Sequence, residues 1–105
     1  MGGARSKSRR AAVQALYQWS IDPLPATEII SQFNEEGILA EADGDLFEKI
    51  VKGAVDEVIS VDQALSPHLS RDIQQVDPVE KALLRLGGYE LMYLPDVPYR
   101  VVLNE

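Results

Sequence analysis

The fold is decided by Asp77-Pro78-Val79-Glu80-Lys81-Ala82-Leu83-Leu84-Arg85-Leu86-Gly87-Gly88-Tyr89-Glu90-Leu91-Met92-Tyr93-Leu94. The stretch opens as a helix. Asp77 can accept a hydrogen bond from a free N–H of the first turn. Pro78 takes the first helical position, where its missing N–H costs nothing. Glu80 follows the cap by three residues, the spacing of a capping box. Pro95 marks the end. Val79, Ala82, Leu83, Leu86 and Met92 lie along one side, and Leu84 and Leu91 with the two glycines on the other. A helix apolar on several sides is a central helix, covered by its neighbours. Gly87 and Gly88 together cost about 1–2 kcal/mol of helix propensity against alanine. That loss makes sense where a second helix approaches closely.

Outward toward the C-terminus, Asp96-Val97-Pro98 restarts a helix, which stops at Glu105 after about two turns without a cap or stop signal. Outward toward the N-terminus, Ser66 to Val76 is a connection. It contains the single histidine, His68, which reads as a half-buried structural residue because no cysteine or second histidine exists to complete a site. Before it, Asp45 to Leu65 reads as one long helix with Phe47, Ile50, Val51, Ala54, Val58, Val61 and Leu65 as its apolar stripe. Gly53 marks a close crossing within it. Ile38 to Gly44 is an acidic loop, and Gly37 suits the end of a short helix over Ala26 to Glu36. That helix faces Ile29, Ile30 and Phe33 inward. Asp22-Pro23-Leu24-Pro25 is a turn.

The first helix is expected from Ser8 to Trp19 or Ser20, with Ala12, Val13, Leu16 and Trp19 as its apolar face. Residues 1–6 are expected to be disordered without a partner. Lys7, Arg10, Gln14 and Tyr17 follow three- and four-residue steps and so share a second face. Cations contact phosphates, and an aromatic ring can stack on an unpaired base. Two readings fit this stripe: a single-stranded RNA surface, or a solvated helix start with Tyr17 at the core edge.

The totals sharpen the picture. The chain has 105 residues, the size of one domain, and a net charge of −7. Arg5, Lys7, Arg9 and Arg10 precede the first acid, Asp22, while the remainder carries six cations against seventeen acids. A basic arm on an acidic body can hold a polyanion locally while the body repels it elsewhere. Without cysteine there are no disulfides or thiolate metal sites. No apolar run approaches the roughly 20 residues that span a bilayer, and no signal-peptide core follows the basic start. The pattern is that of a soluble, cytoplasmic chain. No phosphate loop or nucleophile elbow occurs, and no cofactor motif or enzyme is expected. Paired acids such as Asp56 with Glu57 and Glu35 with Glu36 read as solvated helix faces.

Three segments carry a family resemblance: Ala12-Val13-Gln14-Ala15-Leu16-Tyr17-Gln18-Trp19 after basic residues, Val79 through Leu86 with Tyr89-Glu90-Leu91, and Asp96 through Glu105. In this order they resemble the NusB family of bacterial transcription antitermination factors. The resemblance implies an all-α bundle of the NusB type, about five helices here, incomplete at the C-terminus. It implies an adaptor that binds boxA RNA together with the ribosomal small-subunit protein NusE, in an RNA polymerase antitermination complex acting notably on ribosomal RNA operons. The implied RNA contacts are Arg5, Lys7, Arg9, Arg10, Gln14 and Tyr17. Arg71 is either a structural ion pair or a supplementary phosphate contact. Partner contacts fall on the central helix and its start: Glu80, matching an acidic position that opens this helix in the family, with Leu84 and Gln74.

The early end of the last helix is the largest departure from the family pattern and suggests a fragment. Uncovered apolar surface on the central helix would then favour a homodimer or helix exchange between chains. Ser6 and Ser8 interrupt the basic arm, and Gly87-Gly88 replaces larger residues. A NusB-like domain cut from an RNA cytosine methyltransferase is the alternative of another class, and a helical interaction module without an RNA role is the plainest one.

Overall fold

A computed structural model describes residues 3–94; the expected restart at Pro98 lies outside them. Five α-helices follow one another: α1 (Ala4–Ile21), α2 (Ala26–Glu35), α3 (Gly44–Asp56), α4 (Val58–Leu65) and α5 (Pro78–Tyr93). Two short 3-10 turns, Ser66–His68 and Ile73–Gln75, join α4 to α5. No strand occurs among the described residues, so the fold is all-α.

α5 is the hub. Asp77 caps it by accepting from the Val79 N–H at 2.9 Å, and Pro78 enters at the first turn. The helix packs on α1, α3 and α4. The close approaches inferred from glycine are real. A Cβ at Gly88 would lie 3.0 Å from Val61 of α4. A Cβ at Gly53 of α3 would overlap the Tyr89 ring of α5. The core beneath is continuous: Ala12, Ala15 and Leu16 meet Ile29, Phe33, Phe47, Ile50, Val51, Leu86 and Tyr89. Phe33 and Phe47 stack with ring centroids 5.4 Å apart.

Three expectations need correction. The single helix over 45–65 is two helices with an elbow at Glu57. Gly53 and the β-branched Val55, Val58 and Ile59 lower helix propensity around the break. The elbow leaves Val61 fully buried against Gly88 while Val58 is only half-buried. α1 begins at Ala4 rather than Ser8, because tertiary contacts hold its first turn: the Asp43 N–H donates to the Ala4 carbonyl at 3.2 Å, and the Ser8 hydroxyl donates to the Asp43 carbonyl at 2.6 Å. His68 is exposed, standing in a 3-10 turn that buries no residue.

α5 is also less covered than its pattern implies. It buries Ala82, Arg85, Leu86, Tyr89 and Glu90. Val79, at 50% exposure, and Leu83, at 42%, face outward, as do Leu91 and Met92. The apolar residues outnumber the faces that α1, α3 and α4 can cover.

Candidate RNA interface

α1 sits close to the core through small residues. Ala11, Ala12 and Ala15 are buried together with Leu16, while Val13 and Trp19 are only partly covered. The three- and four-residue stripe on the other side therefore stays accessible: Arg10, Gln14 and Tyr17 are exposed and Lys7 is half-buried. Two hollows adjoin it. The first, about 420 Å³, is lined by Lys7, Arg10 and Gln14 with Gly37, Ile38, Ala40 and Glu41 of the α2–α3 connection. The second, about 400 Å³, is lined by Gln14, Tyr17, Gln18 and Ile21 with Asp22, Phe33, Glu36 and Ile38. Gln14 and Ile38 border both, so one trough runs beside α1 from its cationic start to Tyr17.

The far wall of that trough is set by how α2 ends. Gly37 has φ of +73°, the left-handed conformation in which glycine is favoured. Its N–H donates to the Asn34 carbonyl at 3.2 Å, and the Ile38 N–H donates to the Phe33 carbonyl at 3.3 Å. This is the Schellman pairing, which brings the residue after the glycine back toward the last helical turn. It sets Ile38 beside Phe33 and opposite Tyr17. At the cationic end Lys7 Nζ is 2.8 Å from Glu41 Oε2. The hydrogen bond and charge of Lys7 hold the Glu41 carboxyl below the usual glutamate range.

The remaining expected contacts divide. Arg5 is exposed on the first turn of α1 but lines neither hollow. Arg71 is exposed between the two 3-10 turns and likewise lines neither. Arg9 departs most. It is 5% exposed, and its Nε donates to Glu90 Oε1 at 2.8 Å. Position 9 shares a face with Ala12 and Leu16, so helical geometry turns it inward, toward α5.

Glu80 is exposed in the first turn of α5, and Leu84, one turn on, is half-buried on the same face. Gln74 is exposed and borders a separate hollow with Trp19, Asp62, Lys81 and Arg85. Within that hollow lies a cluster that sequence reasoning missed. Arg85 holds Asp62 with two bonds, Nε to Oδ1 at 3.0 Å and Nη2 to Oδ2 at 2.8 Å. Its guanidinium also lies 5.8 Å from the Trp19 ring centre. The available signal was a charge inside an apolar run, Leu84-Arg85-Leu86, and again at Glu90 between Tyr89 and Leu91.

Fold and site together define a class: an all-α bundle whose first helix presents cations, amides and an aromatic along one trough, around a central helix carrying buried ion pairs. Comparison with known proteins narrows it. A model of the NusB family matches residues 6–105. The transcription antitermination protein NusB of Stenotrophomonas maltophilia (strain K279a) is 50% identical over 101 residues, covering 96% of this chain and 64% of that protein. Those of Xylella fastidiosa (strain 9a5c) and Xanthomonas axonopodis pv. citri (strain 306) are each 46% identical over the same shares. The chain belongs to the NusB family. It spans just under two thirds of the length of these relatives. No helix among the described residues is long and apolar enough to cross a membrane.

Proposed function

We propose that this chain is an RNA-binding adaptor of transcription antitermination, taking boxA-type single-stranded RNA together with NusE. The observation that carries the reading is the shared trough of Lys7, Arg10, Gln14 and Tyr17. Lys7 and Arg10 supply phosphate contacts and Tyr17 a stacking platform. Arg5 extends the cationic end, and Arg71 serves as a distant phosphate contact. Arg9 is left out of the set, since its guanidinium is engaged with Glu90 inside the bundle. The name shared by the relatives supports the antitermination role.

NusE docks on the start of α5 through Glu80, Leu84 and Gln74. The exposed apolar residues of α5, Val79, Leu83, Leu91 and Met92, support self-association of this chain, as a homodimer or by helix exchange. Sedimentation across a wide concentration range tests the last point, and a monomer throughout contradicts it.

RNA binding to a boxA strand and a scrambled control, with and without NusE and at several salt concentrations, tests the main reading. The boxA strand is expected to bind more tightly, NusE to strengthen it, and affinity to fall as salt rises. Equal, salt-insensitive binding of both strands contradicts it.

A further inference from the structure

The two halves of the trough differ in chemistry. The half at Lys7 and Arg10 suits phosphate. The half at Tyr17 does not, because Asp22 and Glu36 border it and repel a phosphodiester. Yet this half is lined by exposed apolar groups that have no evident use within the bundle. Tyr17 is 41% exposed, Ile21 61% and Ile38 43%. A volume of about 400 Å³ lies within the range of small-ligand pockets.

The carboxylates themselves stand in costly places. Asp22 is the C-cap of α1 and Glu36 the C-cap of α2, and neither helix has a basic residue in its last turn. Acids are disfavoured at the negative end of a helix. Two such acids therefore flank one apolar hollow at a position that helix stability does not favour. Between them Gln18 Nε2 donates to Gln32 Oε1 at 3.0 Å, tying α1 to α2 beside the hollow.

We infer that this half of the trough is a nucleobase pocket, with Tyr17 and Ile38 as its apolar walls, that favours bases bearing an exocyclic amino group. The inference rests on the RNA reading above and specifies what its second half recognises. The strand lays its phosphates along Lys7 and Arg10 and turns one base into the continuous neighbouring hollow. Aromatic and apolar walls accept any base face. The carboxylates accept hydrogen bonds, so they match the two N–H donors of an exocyclic amino group, whereas uracil offers them a single N3–H flanked by two repelling carbonyl oxygens.

Oligocytidylate and oligouridylate of equal length make the matched test, since the two bases are both pyrimidines and differ at the 4-amino against 4-oxo position and the adjacent ring nitrogen. The chain is expected to bind the cytidine strand at least about fivefold more tightly. In the Asp22→Ala/Glu36→Ala double variant the ratio is expected to fall to within about twofold, with unchanged helicity. Reading a ratio cancels the general gain in affinity from removing two negative charges. Equal affinity of the unaltered chain for both strands, or a preference that survives in the double variant, overturns the pocket. If the strands bind equally but Arg10→Ala weakens both, the pocket alone falls and the RNA reading stands. If neither strand binds, both fall.

Discussion

Arg9 Nε donates to Glu90 Oε1 across 2.8 Å, and the pair joins α1 to α5 with side-chain exposures of 5% and 0%. Glu90 Oε2 is buried without a hydrogen-bond partner among the described residues. Removing one member of such a pair leaves a buried charge uncompensated, at a cost of about 3–5 kcal/mol. That is a large share of the roughly 5–15 kcal/mol that holds a domain together. Arg9→Ala is therefore expected to lower the urea midpoint sharply or to unfold the chain. Arg9→Met with Glu90→Leu is expected to recover most of the loss, because apolar replacements leave no orphaned charge. Denaturant titration by circular dichroism measures both. A single variant as stable as the unaltered chain contradicts a structural role for the pair.

Gly53 and Tyr89 form the closest crossing of α3 and α5. Alanine at Gly53 gains up to about 1 kcal/mol of helix propensity, but its Cβ overlaps the buried tyrosine ring. Overpacking of this kind costs about 1–3 kcal/mol. Gly53→Ala is expected to destabilise, and to do so much less in a Tyr89→Leu background. A double-mutant cycle reads that coupling; independent effects would show that the ring is not the obstacle.

Tyr89 introduces a pH dependence on the alkaline side. Burial raises its pKa above the ordinary tyrosine value, with added repulsion from Glu57, Tyr93 and Asp56. In the unfolded chain the phenol loses its proton near about pH 10. The folded chain retains the proton to higher pH, so the unfolded state binds fewer protons there and stability falls as pH rises. Stability is expected to hold below about pH 10 and to decline above it. Tyr89→Phe is expected to flatten part of that decline in alkaline denaturant titrations. An identical slope in the variant would assign the alkaline loss to other groups.

On the proposed RNA reading, Glu41 competes with the strand for Lys7. Its carboxylate lies 2.8 Å from Nζ and projects from the α2–α3 connection over the cationic half of the trough. A pair this exposed is screened by solvent and is easily given up. Glu41→Gln is expected to raise RNA affinity by about 1.5- to 5-fold, with a steeper salt dependence as Lys7 turns to phosphate. Filter binding at two salt concentrations checks it, and unchanged affinity with an unchanged slope would place Lys7 outside the contact set.

Much of this arrangement was legible because local chemistry dictates it. Asp77 with Pro78 announces the start of α5, and Gly37 announces the end of α2. The Lys7, Arg10, Gln14, Tyr17 spacing places those residues on one face wherever α1 packs. The burial of Arg9 was not legible, since a count of cations treats it like its neighbours. Its seven-residue step to Leu16 was the better guide. Ile38 and Glu36 escaped notice because they border the trough only after α2 folds back beside α1, a consequence of tertiary packing. The elbow at Glu57 was not legible either, since an unbroken apolar stripe does not show where the helix breaks.

The central claim is that α1 grips unpaired RNA with its outward face and holds the bundle with its inward one. Tyr17 tests it most directly, being exposed and free of any role in the core cluster. RNA affinity of Tyr17→Asp, measured beside its helicity, is expected to fall by at least about tenfold, as loss of one stacking contact and gain of a negative charge imply, while the circular dichroism spectrum stays the same. Full RNA affinity in that variant, with the fold intact, would contradict the account.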